Sequence, residues 1–477
     1  MRNHAFSPPA IALSRFGLGA RPDSRVLIDP KRFIAAQFDR FDAAPPILSR
    51  LPDVDTLVQS HRNRIRETGD RSAAFAASDK EGPERQIQEK HALRKDFAAD
   101  VRASYHQAVQ ARMAIALLTE APFVERMVHF WSNHFCISAD KQFAPAQVGP
   151  FERDAIRPHV LGRFEDMLFA VERHPAMLMY LDQDRSIGFR STVAKRFLRH
   201  HGKVRGPNEN LAREIMELHT LGVRSCYTQH DVAEFARALT GWSIDGWSES
   251  TTGEGAGALE FAFRPAAHEP GSRMIMGKVY AQSGVEQASA ALRDFARAPQ
   301  TETHLGTKIA RHFAGDDPPP TLVARLAATF AQTGGDLRAV YLTLIDSPEA
   351  WVPHPVKFKT PWEWLISALR GLGLSDPDPL SIEGLMHHLG QPVWKPGSPA
   401  GWDDVAASWA YPGGLIRRVE VAQNLAVQVA GTYDAKALAP LLLPASLSND
   451  VRVEISRAES PAVALALLLV SPEFLRR

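Results

Sequence analysis

The residues best placed to do chemistry lie in NENLAREIMELHTLG, from Asn208 to Gly222. At about 100° per residue, an α-helix puts Asn210, Glu214 and Glu217 on one face, at i, i+4 and i+7. Leu211, Ile215 and Leu218 form an apolar stripe beside them, and Arg213 stands four residues from both Glu209 and Glu217. Carboxylates one turn apart at an apolar boundary are what a metal site or a general acid–base pair uses. The same pattern also builds a buried Arg–Glu network that fixes helix packing, because buried charges are costly unless paired. His219 invites a di-metal reading, but the bundle motif needs Glu-x-x-His, and here the glutamates precede His219 by two and five residues.

A second constellation is Phe130-Trp131-Ser132-Asn133-His134-Phe135, preceded by His129. Aromatic neighbours bury an imidazole, and a buried histidine must find partners. His134 is therefore a candidate ligand or catalytic base, or else a core histidine bonded to a carboxylate or the backbone. A third is His268-Glu-Pro-Gly271, where a turn would let His268 reach a helix-borne site. Asp154, Arg157, His159 and Asp182 are further polar candidates, best explained as caps and ion pairs.

The elements that must hold these residues are mostly helical. Gln107–Phe135 is apolar at helical spacing with a break at Ala121–Pro122, and the charged stretch from Glu84 to Arg102 reads as an exposed helix. Asn208–Leu221 is expected as one helix stopped by Gly222. Thr228 and Asp231 have the spacing of a capping box that opens a helix over Val232–Thr240. Ser248–Ala258 reads as a flexible loop, and Phe261/Phe263 with Met274/Met276 as two paired strands about a turn. Helices follow at Glu302–Phe313, Thr321–Thr333, Asp336–Asp346 and Lys359–Leu372. Residues 373–415, rich in Pro, Gly and Trp, read as an ordered irregular wrap.

Composition narrows the function classes. The 477 residues carry 55 basic and 54 acidic side chains, with 45% hydrophobic residues. That supports a real core, with no overall charge excess to attract nucleic acid or a membrane surface. Two cysteines, Cys136 and Cys226, make no disulfide framework and read as separate thiols. The N-terminus lacks an uninterrupted apolar h-region, so the sequence reads as cytoplasmic, and the longest apolar run, Ala462–Val470, is too short to span a bilayer. Walker, GxGxxG, GxSxG, HExxH and EF-hand patterns are absent, which leaves nucleotide-binding and α/β-hydrolase functions without support.

NENLAREIMELHTLGV followed by YTQHDVAEFARALTGW resembles the signature of the bacterial DUF1800 family, a domain of unknown function. FVERMVHFWSNHF, HPAMLMYLD, FAFRPAAHEPGSRMIMGK, KIARHFAGDDPP, KFKTPWEW and LGQPVWKPGSPAGWDD occur in the family's order and extend the resemblance over nearly the whole chain. The resemblance implies no established activity. It does imply a partner: members often neighbour genes of a sulfatase-like family, DUF1501, whose proteins commonly carry export signals. Co-export with that partner would make the compartment periplasmic or extracellular. The motif positions carried over are Asn208, Asn210, Arg213, Glu214, Glu217, His219 and Thr220, then Asp231, Arg237, Thr240 and Trp242, with His134 and His268.

The sequence thus predicts a mostly α protein, a large orthogonal multi-helix bundle with a small β-hairpin and an irregular Pro/Trp-rich segment. One family unit would span 1–477, with an N-terminal helical region 1–103, a core 104–247, a loop and hairpin 248–300, and a helical region 301–477. Its site would gather Glu214, Glu217, His134, His268 and Arg213 for catalysis. Asn208, Asn210, His219, Asp231, Arg237 and Trp242 would bind. A divalent metal, if used, would fall to Glu214, Glu217 and His134. Hydrolysis or group transfer on an extracellular polymer or ester is the function expected. The alternatives are a non-catalytic partner of the sulfatase-like protein, docking through residues 84–102 and 391–412, and carbohydrate binding by Trp394, Trp402 and Trp409.

Overall fold

The computed structural model describes residues 5–24, 27–75, 82–141, 143–201, 206–246, 258–429 and 431–477. Apart from its last residue, the loop expected at 248–258 lies outside them.

Helices carry the architecture, and proline places many of their starts. Pro122, Pro299, Pro320, Pro361 and Pro461 each sit in a first turn, where the missing N–H costs nothing and φ is preset. The charged stretch from Glu84 and the apolar stretch from Gln107 share one helix, Gly82–Leu118. Nothing in the sequence between them breaks a helix, so the exposed first half runs directly into the buried second half. The chain then turns at Thr119–Ala121, where the Thr119 hydroxyl accepts the Ala121 amide, and re-enters helix as Pro122–His134.

The strands also pair differently from expectation. Trp242–Asp245 pairs antiparallel with Glu260–Phe263, and Arg273–Ile275 pairs with Lys278–Tyr280. Met274 therefore faces Val279 rather than the Phe261 strand, because Met276-Gly277 turns the chain back at once, both with positive φ.

Among the described residues the main core runs from Phe6 to Leu475, with a small second cluster of Val54, Val58, Val101, Phe143 and Ala146. Its centre is polar at fixed points, as where the Trp131 indole donates to the Tyr341 hydroxyl at 2.6 Å. Among the described residues no helix is long and apolar enough to cross a membrane.

The signature helix is not regular. It is α-helical over Asn210–Glu214 and widens to a π-helical turn over Ile215–His219. The Thr220 hydroxyl closes that turn by donating to the Ile215 carbonyl at 2.6 Å. Such widened turns re-aim the side chains they carry and are frequent at functional sites.

Candidate functional site

The site is built from two helices with complementary faces. Arg126, His129, Phe130, Asn133 and His134 recur at i, i+3, i+4, i+7 and i+8 along Pro122–His134, and so share a face. Lys308, Arg311 and His312 do the same on Pro299–Ala314. A third element, Pro361–Gly371, contributes its N-terminus, and the irregular segment 391–405 closes over the top. Between them lies a cavity of about 260 Å³ lined by all of these residues, together with Arg112, Trp362, Glu363, Trp394, Trp402 and Asp404.

The covering segment is pinned by reciprocal hydrogen bonds. The Asn133 amide donates to the Trp402 carbonyl at 2.9 Å and accepts the Trp402 amide at 2.8 Å. Gly401 has φ +79, and a Cβ there would stand 2.3 Å from the Asn133 carbonyl oxygen, so only glycine allows this approach. Trp362 and Trp394 stack on the Arg112 guanidinium, 4.9 and 4.8 Å from their ring centres. Arg112 in turn pairs with Glu152 at 2.9 Å. This wall is aromatic, rigid and charge-balanced.

Glu363 joins capping to the site. Its Oε2 accepts the Thr360 amide at 2.9 Å in a full capping box. Its Oε1 receives Arg126 and, at 2.9 Å, Arg477. Burial opposes its charge, but the two guanidiniums outweigh burial and hold it well below the usual carboxylate range.

The reactive-looking part is a pair of histidines. His312 Nδ1 lies 2.8 Å from Asp404 Oδ2, and Lys357 holds the other Asp404 oxygen at 3.1 Å. Burial works against the Asp404 charge as well, yet His312, Lys357 and Arg477 keep it ionised. His312 itself is pushed down by burial, which favours the neutral ring. With Nδ1–H donated to Asp404, Nε2 carries the lone pair of a base and accepts only a long bond from Arg126 Nη1, at 3.5 Å, which a substrate hydroxyl or water would displace.

His134 is fixed in the other tautomer. Its Nε2 donates to the His219 carbonyl at 3.2 Å, and its Nδ1 accepts the Lys308 ammonium at 2.9 Å. Burial and the Lys308 charge drive its pKa well below the ordinary value. Lys308 is lowered to about 8, chiefly by burial. Among the described residues no carboxylate stands within ion-pair distance of Lys308, and Arg311 bonds only the Asp316 carbonyl at 3.2 Å. The cavity therefore holds two cations without anionic partners.

Of the site residues expected from sequence, His134 lines this cavity. The signature helix reaches it through the His219 backbone, while the His219 ring turns inward to Glu172 at 2.7 Å. That pair is fully buried, and among the described residues His219 Nε2 and Glu172 Oε2 have no further partner. Glu214 and Glu217 are half-buried outside the cavity lining, with no hydrogen-bond or ion-pair partner among the described residues; burial pushes the Glu214 carboxyl up. Arg213 pairs with Glu209 and Gln229, at 3.1 and 2.9 Å, rather than Glu217.

The remaining expected residues hold local structure. Asn208 donates to the Leu181 and Asp182 carbonyls, both at 3.0 Å, and accepts the Asn210 amide; Asn210 is exposed. Asp231 caps its helix through Thr228 and also accepts the Met276 amide at 2.6 Å. Arg237 pairs with Glu234, Trp242 packs edge-on to Phe261, and His268 bonds the Thr240 carbonyl at 2.8 Å. Among the described residues no three His, Cys, Asp or Glu side chains form a group able to hold a metal ion, so Glu214, Glu217 and His134 do not converge as ligands. Cys136 lines the cavity but is an inert thiol, pushed by burial to about 12, and Cys226 is exposed.

A family model described as a protein of unknown function, DUF1800, matches residues 11–476. The chain belongs to that family. Comparison with curated proteins and with solved structures finds no match. DUF1800 membership thus accounts for nearly the whole length without naming a reaction, and the site's chemistry follows from its geometry.

Proposed function

We propose that this DUF1800 chain is an enzyme, a hydrolase or group transferase that cleaves an ester or a linkage in a polymer within the Lys308–His312 cavity. One observation carries it: a Lys308 ammonium with no carboxylate partner among the described residues shares an aromatic-walled cavity with a neutral, Asp404-oriented His312. In this mechanism His312 Nε2 takes the proton of a water or an acceptor hydroxyl as its oxygen attacks the carbonyl carbon. Lys308 and Arg311 stabilise the oxyanion that develops. His312 then returns the proton to the departing alkoxide as its bond to the carbonyl breaks. Trp394 and Trp402 would supply flat apolar surface for the rest of the substrate.

The test is turnover of 4-nitrophenyl acetate and butyrate by wild-type protein and His312→Ala. The expected result is release of nitrophenol from at least one ester, reduced about 10²–10⁴-fold in the variant, the usual contribution of a positioned general base. The proposal fails if freshly folded wild type turns over neither of them, or if His312→Ala matches wild type.

A further inference from the structure

The near-neutral charge of the whole chain conceals a local run. Residues 185–201 contain five Lys or Arg and no Asp or Glu, in the sequence RSIGFRSTVAKRFLRHH. The helix Thr192–His201 occupies most of it. Its start is set by Ser191, whose hydroxyl accepts the Ala194 amide at 3.1 Å.

At 100° per residue the helix divides cleanly. Val193, Ala194, Phe197 and Leu198 share one side, while Lys195, Arg196 and Arg199 share the other. The apolar side is only partly buried. Ala194 is buried on the body of the protein, but one turn further on Phe197 is 46% exposed and Leu198 57%. Phe189, just before the helix, is 56% exposed. Every residue from Lys195 to His200 is exposed, so this part of the helix stands proud of the surface. Among the described residues Lys195, Arg196 and Arg199 have no carboxylate partner, whereas Arg190 is tied to Glu269 at 2.9 Å.

We infer that this helix docks the protein on an anionic lipid surface. The positive face supplies attraction to acidic headgroups, and Phe189, Phe197 and Leu198 supply the apolar contact that a headgroup layer accepts. Val193 and Phe197 also border a hollow with Trp242 and Phe263, but exposure right around the helix from Lys195 to His200 suits a flat lipid surface better than a peptide seated in a groove. The absence of acidic residues from the run favours an anionic surface over a zwitterionic one. Docking here is separate from the Lys308–His312 cavity, so it stands or falls independently of the catalytic proposal.

The experiment is co-sedimentation of the full chain with vesicles of phosphatidylcholine alone and of phosphatidylcholine with 30% phosphatidylglycerol. Binding to the anionic vesicles is expected, with at least tenfold weaker binding to the neutral ones and loss in high salt. Phe197→Ser/Leu198→Ser should weaken anionic-vesicle binding at least tenfold, and Lys195→Glu/Arg199→Glu should abolish it. Both pairs are exposed, so thermal melting should be unchanged. The inference is overturned by absence of binding to anionic vesicles, by equal binding to both kinds, or by full binding of the Phe197/Leu198 variant. Stronger capture by RNA or by an acidic peptide than by the vesicles, insensitive to the Phe197/Leu198 change, would also overturn it and assign the face to a polyanion instead.

Discussion

The signature helix meets the helices around the Lys308–His312 cavity through hydrogen bonds from His134 to the His219 carbonyl and from His304 to the Leu218 carbonyl, yet the two regions are built on opposite principles. Around His219 a histidine and a carboxylate are sealed together in the core with no opening. Around Lys308 the cations outnumber their anionic partners, and the space beside them is open. Sealing two polar groups together fixes a backbone; leaving charges unsatisfied beside a cavity leaves energy for a ligand. The widened turn that forms the family signature thus positions His134 from behind, and His134 in turn receives Lys308.

That contrast can be broken from either side. The largest effect should come from Arg126→Ala, which leaves the buried Glu363 with one cation fewer; loss of about 3–5 kcal/mol of stability is expected by chemical denaturation. Glu172→Gln should cost less, about 1–3 kcal/mol, by weakening the buried bond to His219. Turnover of the surviving folded protein should change little, because Glu172 does not line the cavity.

Two pH effects should be smaller. If the Lys308 ammonium stabilises the oxyanion, kcat/KM falls as pH rises through about 8, where Lys308 loses its proton. Lys308→Arg, charged at every accessible pH, should keep its rate above that point, a split read from pH–rate profiles. Stability should also fall in mild acid. His129 and His134 stay neutral in the folded protein well below their ordinary value, while the unfolded chain takes up protons near pH 6.5. Acid therefore favours unfolding, by about 1 kcal/mol for each histidine between pH 6.5 and 5.5. His134→Gln should remove one such contribution from the pH dependence of Tm.

Much of the fold was legible because periodicity and punctuation agree. The Thr228–Asp231 capping box, the helices after residue 300 and the break before Pro122 all follow local chemistry. The π-turn at Ile215–His219 was not legible: it answers to Glu172, a residue 47 positions away from His219. Regular-helix geometry grouped Asn210, Glu214 and Glu217 correctly for a helix this chain does not complete. The strand partners were missed because Met276-Gly277 looked like strand end rather than hairpin turn.

The cavity was half legible. His134 stands out through its aromatic neighbours; the wrap expected over 373–415 is irregular only in part, because Ser381 caps a helix over Ile382–His388 and Pro412 opens another, leaving 391–405 to cover the cavity. Lys308, His312 and Asp404 are inconspicuous in the sequence because each sits among ordinary charges, and only folding brings KIARHF against GWDD. Two signals were available: Lys308, Arg311 and His312 at i, i+3 and i+4, and the Thr360-x-x-Glu363 capping box beside Trp362.

The most direct test compares two variants on whichever nitrophenyl ester the wild type cleaves: His312→Ala in the cavity and Glu214→Gln/Glu217→Gln on the signature helix. The account predicts that kcat/KM falls at least about 100-fold in the first and stays within about threefold in the second, with Tm near wild type in both. Loss of activity in the glutamine double variant, with His312→Ala unaffected, would contradict it and return the chemistry to the signature helix.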